Sequence, residues 1–178
     1  MKIDTNNGVQ YIRGDTYGLP KSVRVHVSAN IIGDFQCGEN CRIDGNVTIT
    51  GRVTLGRNVH IATGARLFGG NDIFIGNHTG IGPGSTLLTA SDDPHSDLIA
   101  LHSENELETK AIKGPIVIGD YVLICAHCVI LPNTQISDEV ILGAMSLVTG
   151  KEYLHAGRVY AGIPAVDIRN RQKLRYTK

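Results

Sequence analysis

From Val25 onward an aliphatic or small apolar residue recurs at every sixth position, at Ile31, Cys37, Ile43, Ile49, Leu55, Ile61 and Leu67. A helix buries residues at a period of 3.6, so this beat is not helical. Four positions after each mark comes a second apolar or small residue, Cys41, Val47, Val53, Val59 and Ala65, and Gly, Asn, Asp and Arg fill the intervals, as in LGRNVH and IDGNVT. Short extended segments alternating with tight turns are the signature of a hexapeptide β-helix. Two extra residues after Leu67 shift the phase, and Gly69 and Gly70 are placed to absorb them in a bulge or widened corner. The beat resumes at Ile75, Ile81 and Leu87, stops, and returns at Ile118, Ile124, Ile130, Ile136, Leu142 and Val148. Three hexads per coil predict a triangular prism of about five to six coils with the marked residues stacked inside.

Residues 89–115 carry no six-residue beat and are polar, beginning TASDDPHSDL. A stretch of that length without structure of its own in a compact domain is functional or disordered. The chain thus divides into an N-terminal cap at 1–24, a β-helix at 25–166 interrupted by the loop at 89–115, and a basic C-terminal tail at 167–178. A solenoid needs such a cap to protect its first coil.

Charge changes this picture little. Seventeen basic and 17 acidic residues balance, so no global field favours nucleic acid or an anionic membrane, and any anion site must be local. The most apolar run, Tyr121 to Leu131, is far shorter than the roughly 20 residues of a bilayer helix. A soluble, cytoplasmic protein without membrane insertion is expected. The four cysteines, Cys37, Cys41, Cys125 and Cys128, include one C-x-x-C pair. They fall on or beside repeat positions, which favours buried reduced thiols over a zinc site, and no metal is required.

The run GPIVIGDYVLICAHCVILPNTQISDEVILGAMSLVTG, Gly114 to Gly150, followed by VYAGIPAVDIR, Val159 to Arg169, resembles the hexapeptide-repeat acetyltransferases. The resemblance covers the chain from Val25 to Arg169. It implies an all-β fold, a left-handed parallel β-helix with a long protruding loop at about 89–115, assembled as a homotrimer with active sites at subunit interfaces. Left-handed winding is an exception to the right-handed crossover rule. In the branch that acetylates sugars, which includes galactoside, maltose and surface-polysaccharide acetyltransferases, the loop leaves the prism here with a histidine near its base. His95, within Asp93-Pro94-His95-Ser96, matches it.

A sugar hydroxyl is a poor nucleophile until its proton is taken, and an imidazole of ordinary pKa near 6.5 accepts that proton at pH 7. His95 is therefore the expected general base, with Asp93, or failing it Asp92, orienting the ring and a backbone N–H at a repeat corner facing the oxyanion. A lone loop histidine beside aspartates is commonly just solvated; its place on the interruption raises it. His26, His60 and His78 sit on repeat turns, His102 lies deeper in the loop, and His127 and His155 read as structural. A gamma-class carbonic anhydrase shares the prism, but His127 lacks a second histidine four or five residues on, where Leu131 and Pro132 stand. Cys128 is expected to point inward, which disfavours a covalent thioester intermediate.

The resemblance implies acetyl-CoA as the cosubstrate. Gly143 and Ala144 match small residues that let the pantetheine arm approach, and Ala161, Gly162, Ile163, Pro164 and Ala165 match a closing motif that also reads as a plain turn. Arg169 and Arg171 are candidates for the nucleotide phosphates, against the alternative that a basic tail is simply solvated. Three positions depart from the family: Val166 stands where Lys is common, Leu123 where Trp is usual, and Gly84 where galactoside-type enzymes carry Asn. The function expected is O-acetylation of a sugar or glycan of a bacterial surface polysaccharide. The alternatives are N-acetylation of a nucleotide-linked amino sugar and a non-enzymatic structural trimer.

Overall fold

A computed structural model describes the chain at residues 3–6, 9–13, 18–93 and 111–173, with side chains from residue 18 on. The six-residue beat becomes a left-handed parallel β-helix of three faces. On the first face Val25, Ile43, Ile61, Ile81, Ile124, Leu142 and Tyr160 stack in register. Ile31, Ile49, Leu67, Leu87, Ile130 and Val148 form the column of the second face, and Cys37, Leu55, Ile75, Ile118, Ile136 and Leu154 that of the third. Six coils are complete and Tyr160 opens a seventh, at the upper end of the expected number. Beyond the first coil these columns are all but fully buried, and the second members of the hexads, from Cys41 to Ser146, are buried with them. The hydrophobic effect therefore acts along the whole axis, each rung burying its residues against the next.

The corners explain the polar intervals. At the third corner, between the third and first faces, Asn40, Asn58, His78, Tyr121 and Glu139 adopt φ between 55° and 59°. Such left-handed backbone costs a non-glycine residue roughly 1–2 kcal/mol. A ladder of side chains offsets it: Arg57 N donates to Asn77 Oδ1 at 3.0 Å, Asn77 N to Asp120 Oδ1 at 2.7 Å, and Asp120 N to Asp138 Oδ1 at 2.8 Å. The rings of His78 and Tyr121 stack outside it, 4.8 Å apart and 2° from parallel.

At the second corner, between the second and third faces, the strands Thr48–Leu55 and Arg66–Ile75 run through without a break. Gly51 sits there at φ 77°, and a Cβ on it would lie 2.5 Å from the carbonyl carbon of Gly69, so only glycine permits the stack. Gly51 pairs with Gly69 but Val53 pairs with Ile73, which leaves Arg52 opposite Gly70, Asn71 and Asp72. This bulge takes up the two extra residues that shift the sequence phase.

Antiparallel strands continue the first face at both ends. Ile3–Asn6 pairs with Val9–Arg13, which pairs with Arg24–His26, and at the far end Val166–Asn170 folds back on Arg158–Ala161. Arg158 Nε donates to Asp167 Oδ2 at 2.8 Å, and the guanidinium holds that carboxyl below the usual carboxylate range. Among the described residues no helix is long and apolar enough to cross a membrane.

Candidate active site

The interruption begins at the second corner of the fourth coil. The chain leaves as Ala90–Asp92 and returns as Ala111–Lys113, an antiparallel ribbon with Ala90 opposite Lys113 and Asp92 opposite Ala111. Thr89, 1% exposed, fastens its base. Its amide and its hydroxyl both donate to Phe68 O, at 3.1 and 2.7 Å. Its Oγ1 accepts from Asn71 N at 3.0 Å, and its carbonyl accepts from Gly114 N at 3.0 Å and Asn71 Nδ2 at 3.2 Å. The ribbon thus stands directly on the bulge of the coil below. Asp93, half-buried, follows its outgoing strand. His95, the expected base, lies outside the described residues.

The first corner, between the first and second faces, brings together five residues expected on the donor path. Gly143 N donates to Tyr160 O at 2.8 Å, which sets Gly143 over Ala161. A Cβ at Gly143 would meet the Ala161 Cβ at 2.9 Å. Ser146 Oγ donates to Gly143 O at 2.6 Å and accepts from Gly162 N at 3.1 Å, while Leu147 N donates to Gly162 O and Ala165 N to Leu147 O. Gly143, Ala144, Ala161, Gly162 and Pro164 therefore form one ridge, with Ala144, Gly162 and Pro164 exposed. A wall with so little side chain lets an extended ligand approach the backbone.

The two arginines part company. Arg169, on the closing strand, is exposed. Arg171 donates from Nη1 to Tyr121 O at 2.6 Å and from its amide to Gly157 O at 2.8 Å, at the third corner. A whole face separates it from the Gly143–Gly162 ridge of its own chain.

Lower on the same first face lies a cleft of about 340 Å³, lined by Asp44, His60, Ala62, Thr63, Gly80, Ile81, Gly82, Pro83 and Leu123. His60 is on a strand of this face and not, as expected, on a turn. Its Nε2 lies 2.7 Å from Asp44 Oδ2 and 2.8 Å from Arg42 Nη2. The two contacts ask opposite things of Nε2, and the shorter one, to a carboxylate that only accepts, selects the tautomer with the proton on Nε2. The approach of Arg42 Nη2, itself only a donor, is then a contact and not a hydrogen bond, and Nδ1 keeps its lone pair. Arg42 Nε also sits 2.9 Å from Asp44 Oδ1, an ion-pair contact in which its N–H is not aimed at the oxygen and finds no hydrogen-bond acceptor. Sequence reasoning missed this cluster; the one trace it leaves is that Arg42 and His60 are 18 residues apart, one full coil.

The cysteines are all free thiols. Cys128 is buried with Sγ 3.1 Å from Gly143 O, and burial pushes both Cys125 and Cys128 above the ordinary thiol value, away from the nucleophilic thiolate. Among the described residues no three His, Cys, Asp or Glu side chains are grouped to hold a metal ion.

A family model described as bacterial transferase hexapeptide (six repeats) matches residues 36–69. Comparison with curated protein sequences finds no match. Among solved structures the chain is similar to AntD, an N-acyltransferase from Bacillus cereus. With a variant of AntD in complex with dTDP-4-amino-4,6-dideoxyglucose and coenzyme A, it shares 28% identity over 92% of this chain and 91% of that one, at a TM-score of 0.85. With a second variant, bound to dTDP and coenzyme A, identity is 30% over 85% and 81%, at 0.80. With AntD bound to dTDP and 3-hydroxybutyryl-CoA it is 27% over 91% and 90%, at 0.84.

Proposed function

Because the chain belongs to the hexapeptide-repeat transferase family, we propose that it transfers an acyl group from coenzyme A to the amino group of a nucleotide-linked amino sugar. The observation that carries this reading is the likeness to AntD across 92% of the chain, in a complex that holds both an amino sugar nucleotide and coenzyme A. The sequence favours a hydroxyl acceptor and keeps the amino sugar as its alternative; the likeness supports the amine. It also supports a broader donor than acetyl-CoA, since AntD binds 3-hydroxybutyryl-CoA.

In this reading the pantetheine arm follows the bare ridge of Gly143, Ala144, Ala161, Gly162 and Pro164, and Arg169 meets the nucleotide phosphates. The amine nitrogen attacks the thioester carbonyl; the C–N bond forms, the C–S bond breaks, and the sulfur leaves as a thiolate. The acceptor reacts as the free amine, since an ammonium has no lone pair; Asp93 orients the imidazole, and His95 takes the one proton that the nitrogen sheds as the C–N bond forms and returns it to the thiolate sulfur. Compared with a hydroxyl, an amine needs less help before the attack and more after it. A homotrimer with active sites at subunit interfaces is part of the proposal, and its mass in solution is then three times the 19.1 kDa chain.

Free-thiol release from acetyl-CoA and 3-hydroxybutyryl-CoA, with dTDP-4-amino-4,6-dideoxyglucose against the neutral sugar nucleotide dTDP-glucose, tests the choice. Release with the amine alone is expected. Release with the neutral sugar at an equal rate would return the assignment to O-acylation.

A further inference from the structure

The outward column of the first face changes character from rung to rung. In register it reads Arg24, Arg42, His60, Gly80, Leu123 and Ile141. It is cationic at one end, apolar at the other, and empty in the middle, where Gly80 leaves a notch between His60 and Leu123. The notch is a matter of missing side chain and not of backbone need: Gly80 has ordinary φ, and a Cβ there would meet only Leu123 Cδ1, at 3.5 Å. Gly82 beside it differs, since a Cβ would lie 2.5 Å from the carbonyl carbon of Cys125.

The polar wall of the cleft is equally unforced by the fold. The position that follows the inward residue at the first corner is Ala62, Gly82, Cys125, Gly143 and Ala161 in the later coils, and Asp44 in the second. Asp44 is 9% exposed, so the carboxylate is held out of water by Arg42 and His60 at a cost that packing with apolar groups would avoid. Its contact with Nε2 fixes the imidazole, and among the described residues Nδ1 of His60 makes no hydrogen bond. A buried carboxylate that orients an imidazole in an apolar cleft points to a ligand.

We propose that this cleft seats the acceptor's sugar ring: the Gly80 notch, walled by Leu123, takes a ring edge that lacks a hydroxyl, and His60 Nδ1 accepts from a ring hydroxyl opposite. The acceptor class is a deoxy amino sugar. The assignment rests on the acyl-transfer reading and deepens it. Gly82 and Pro83 of the cleft share the first corner with Gly143 and Ala161, through Gly82 N to Ile124 O, Cys125 N to Leu142 O and Gly143 N to Tyr160 O. The part of the acceptor nearest a donor on that ridge must be the ring that bears the amine. Asp44 is a positioning residue here, acting through His60.

Thiol release and calorimetric binding are measured with dTDP-4-amino-4,6-dideoxyglucose and with its C6-hydroxylated counterpart, dTDP-4-amino-4-deoxyglucose, for the wild type, Gly80→Ala and His60→Gln. Gln keeps a donor for Asp44 and deletes the Nδ1 acceptor. The wild type is expected to favour the deoxy sugar by about tenfold or more in kcat/KM. Each variant should raise the acceptor KM by about tenfold with the coenzyme A KM unchanged, because one carbon or one hydrogen bond in a closed site is worth that much. Release with unchanged acceptor KM in both variants overturns the cleft assignment and leaves amine acylation standing. Sugar nucleotide binding that the variants weaken, without thiol release from any of them, overturns the acyl transfer and keeps the cleft. No binding to the wild type overturns both.

Discussion

Replacing Thr89 with Val isolates the contact between scaffold and loop. The shapes match, so no cavity opens, and only the hydroxyl is lost. Asn71 N then has no acceptor, and an unsatisfied buried donor costs about 1–3 kcal/mol. Phe68 O loses one of two donors and keeps Thr89 N at 3.1 Å, which makes its share small. A total of about 2 kcal/mol, at about 2–4 °C per kcal/mol for a chain of this size, lowers Tm by about 4–8 °C. Circular dichroism melts of wild type, Thr89→Val and Thr89→Ser measure it, with Ser expected to recover most of the loss. Hydrogen exchange at Asn71 gives the local readout, since its amide should exchange faster in Val and not in Ser. A melt within about 1 °C of wild type, with Asn71 still protected, would refute the role of Thr89 as the fastening. If Asp93 and His95 serve the acceptor, the same variant should also raise the acceptor KM more than the coenzyme A KM.

His95→Ala should lower turnover by about 10² to 10⁴-fold while coenzyme A affinity stays put, and wild-type rates in the variant would remove His95 from the chemistry. Arg169→Ala should weaken coenzyme A more than dephospho-coenzyme A, whereas Arg171→Ala, which strips the donor from Tyr121 O, should show itself in the melt; equal losses for the two nucleotides would discharge Arg169 of a phosphate role. Cys125 and Cys128 should alkylate more slowly than an exposed thiol at the same pH, and faster only as pH climbs above the ordinary thiol value, because burial raises the folded-state value and keeps the thiol protonated below it. Rapid labelling of both at pH 7 in the folded protein would contradict that burial.

The columns of the β-helix were legible because each buried residue is announced locally, by its six-residue spacing, and needs no distant partner to be identified. Ile43, Ile61 and Leu142 illustrate this, and so does the bulge at Gly69 and Gly70, which betrays itself as a slip in phase. Contacts between coils are another matter. Asp44 and His60 are 16 residues apart in sequence and meet only when the coil is closed. Their link was hidden because His60 by itself looks like any polar outward residue. Arg171 sat in a run of basic residues, and nothing in such a run tells which guanidinium is captured by a carbonyl 50 residues earlier. The acceptor's nucleophile is beyond reach for a different reason: a six-residue beat reports the scaffold alone, and the choice between a hydroxyl and an amine depends on an acceptor that leaves no periodic trace.

The unbroken first face also works as a ruler. Coils repeat at about 4.8 Å, so the distance from the Gly80 notch to the Gly143–Ala161 ridge comes only in whole steps. Length along this wall cannot be tuned by loosening a hinge; it changes by duplicating or excising a complete 18-residue unit, with the core columns rejoining in phase. A coil added between Cys125 and Gly143 would leave both ends intact and move them one step apart. The molecule would then serve as a gauge, reporting through turnover how far the thioester is able to reach.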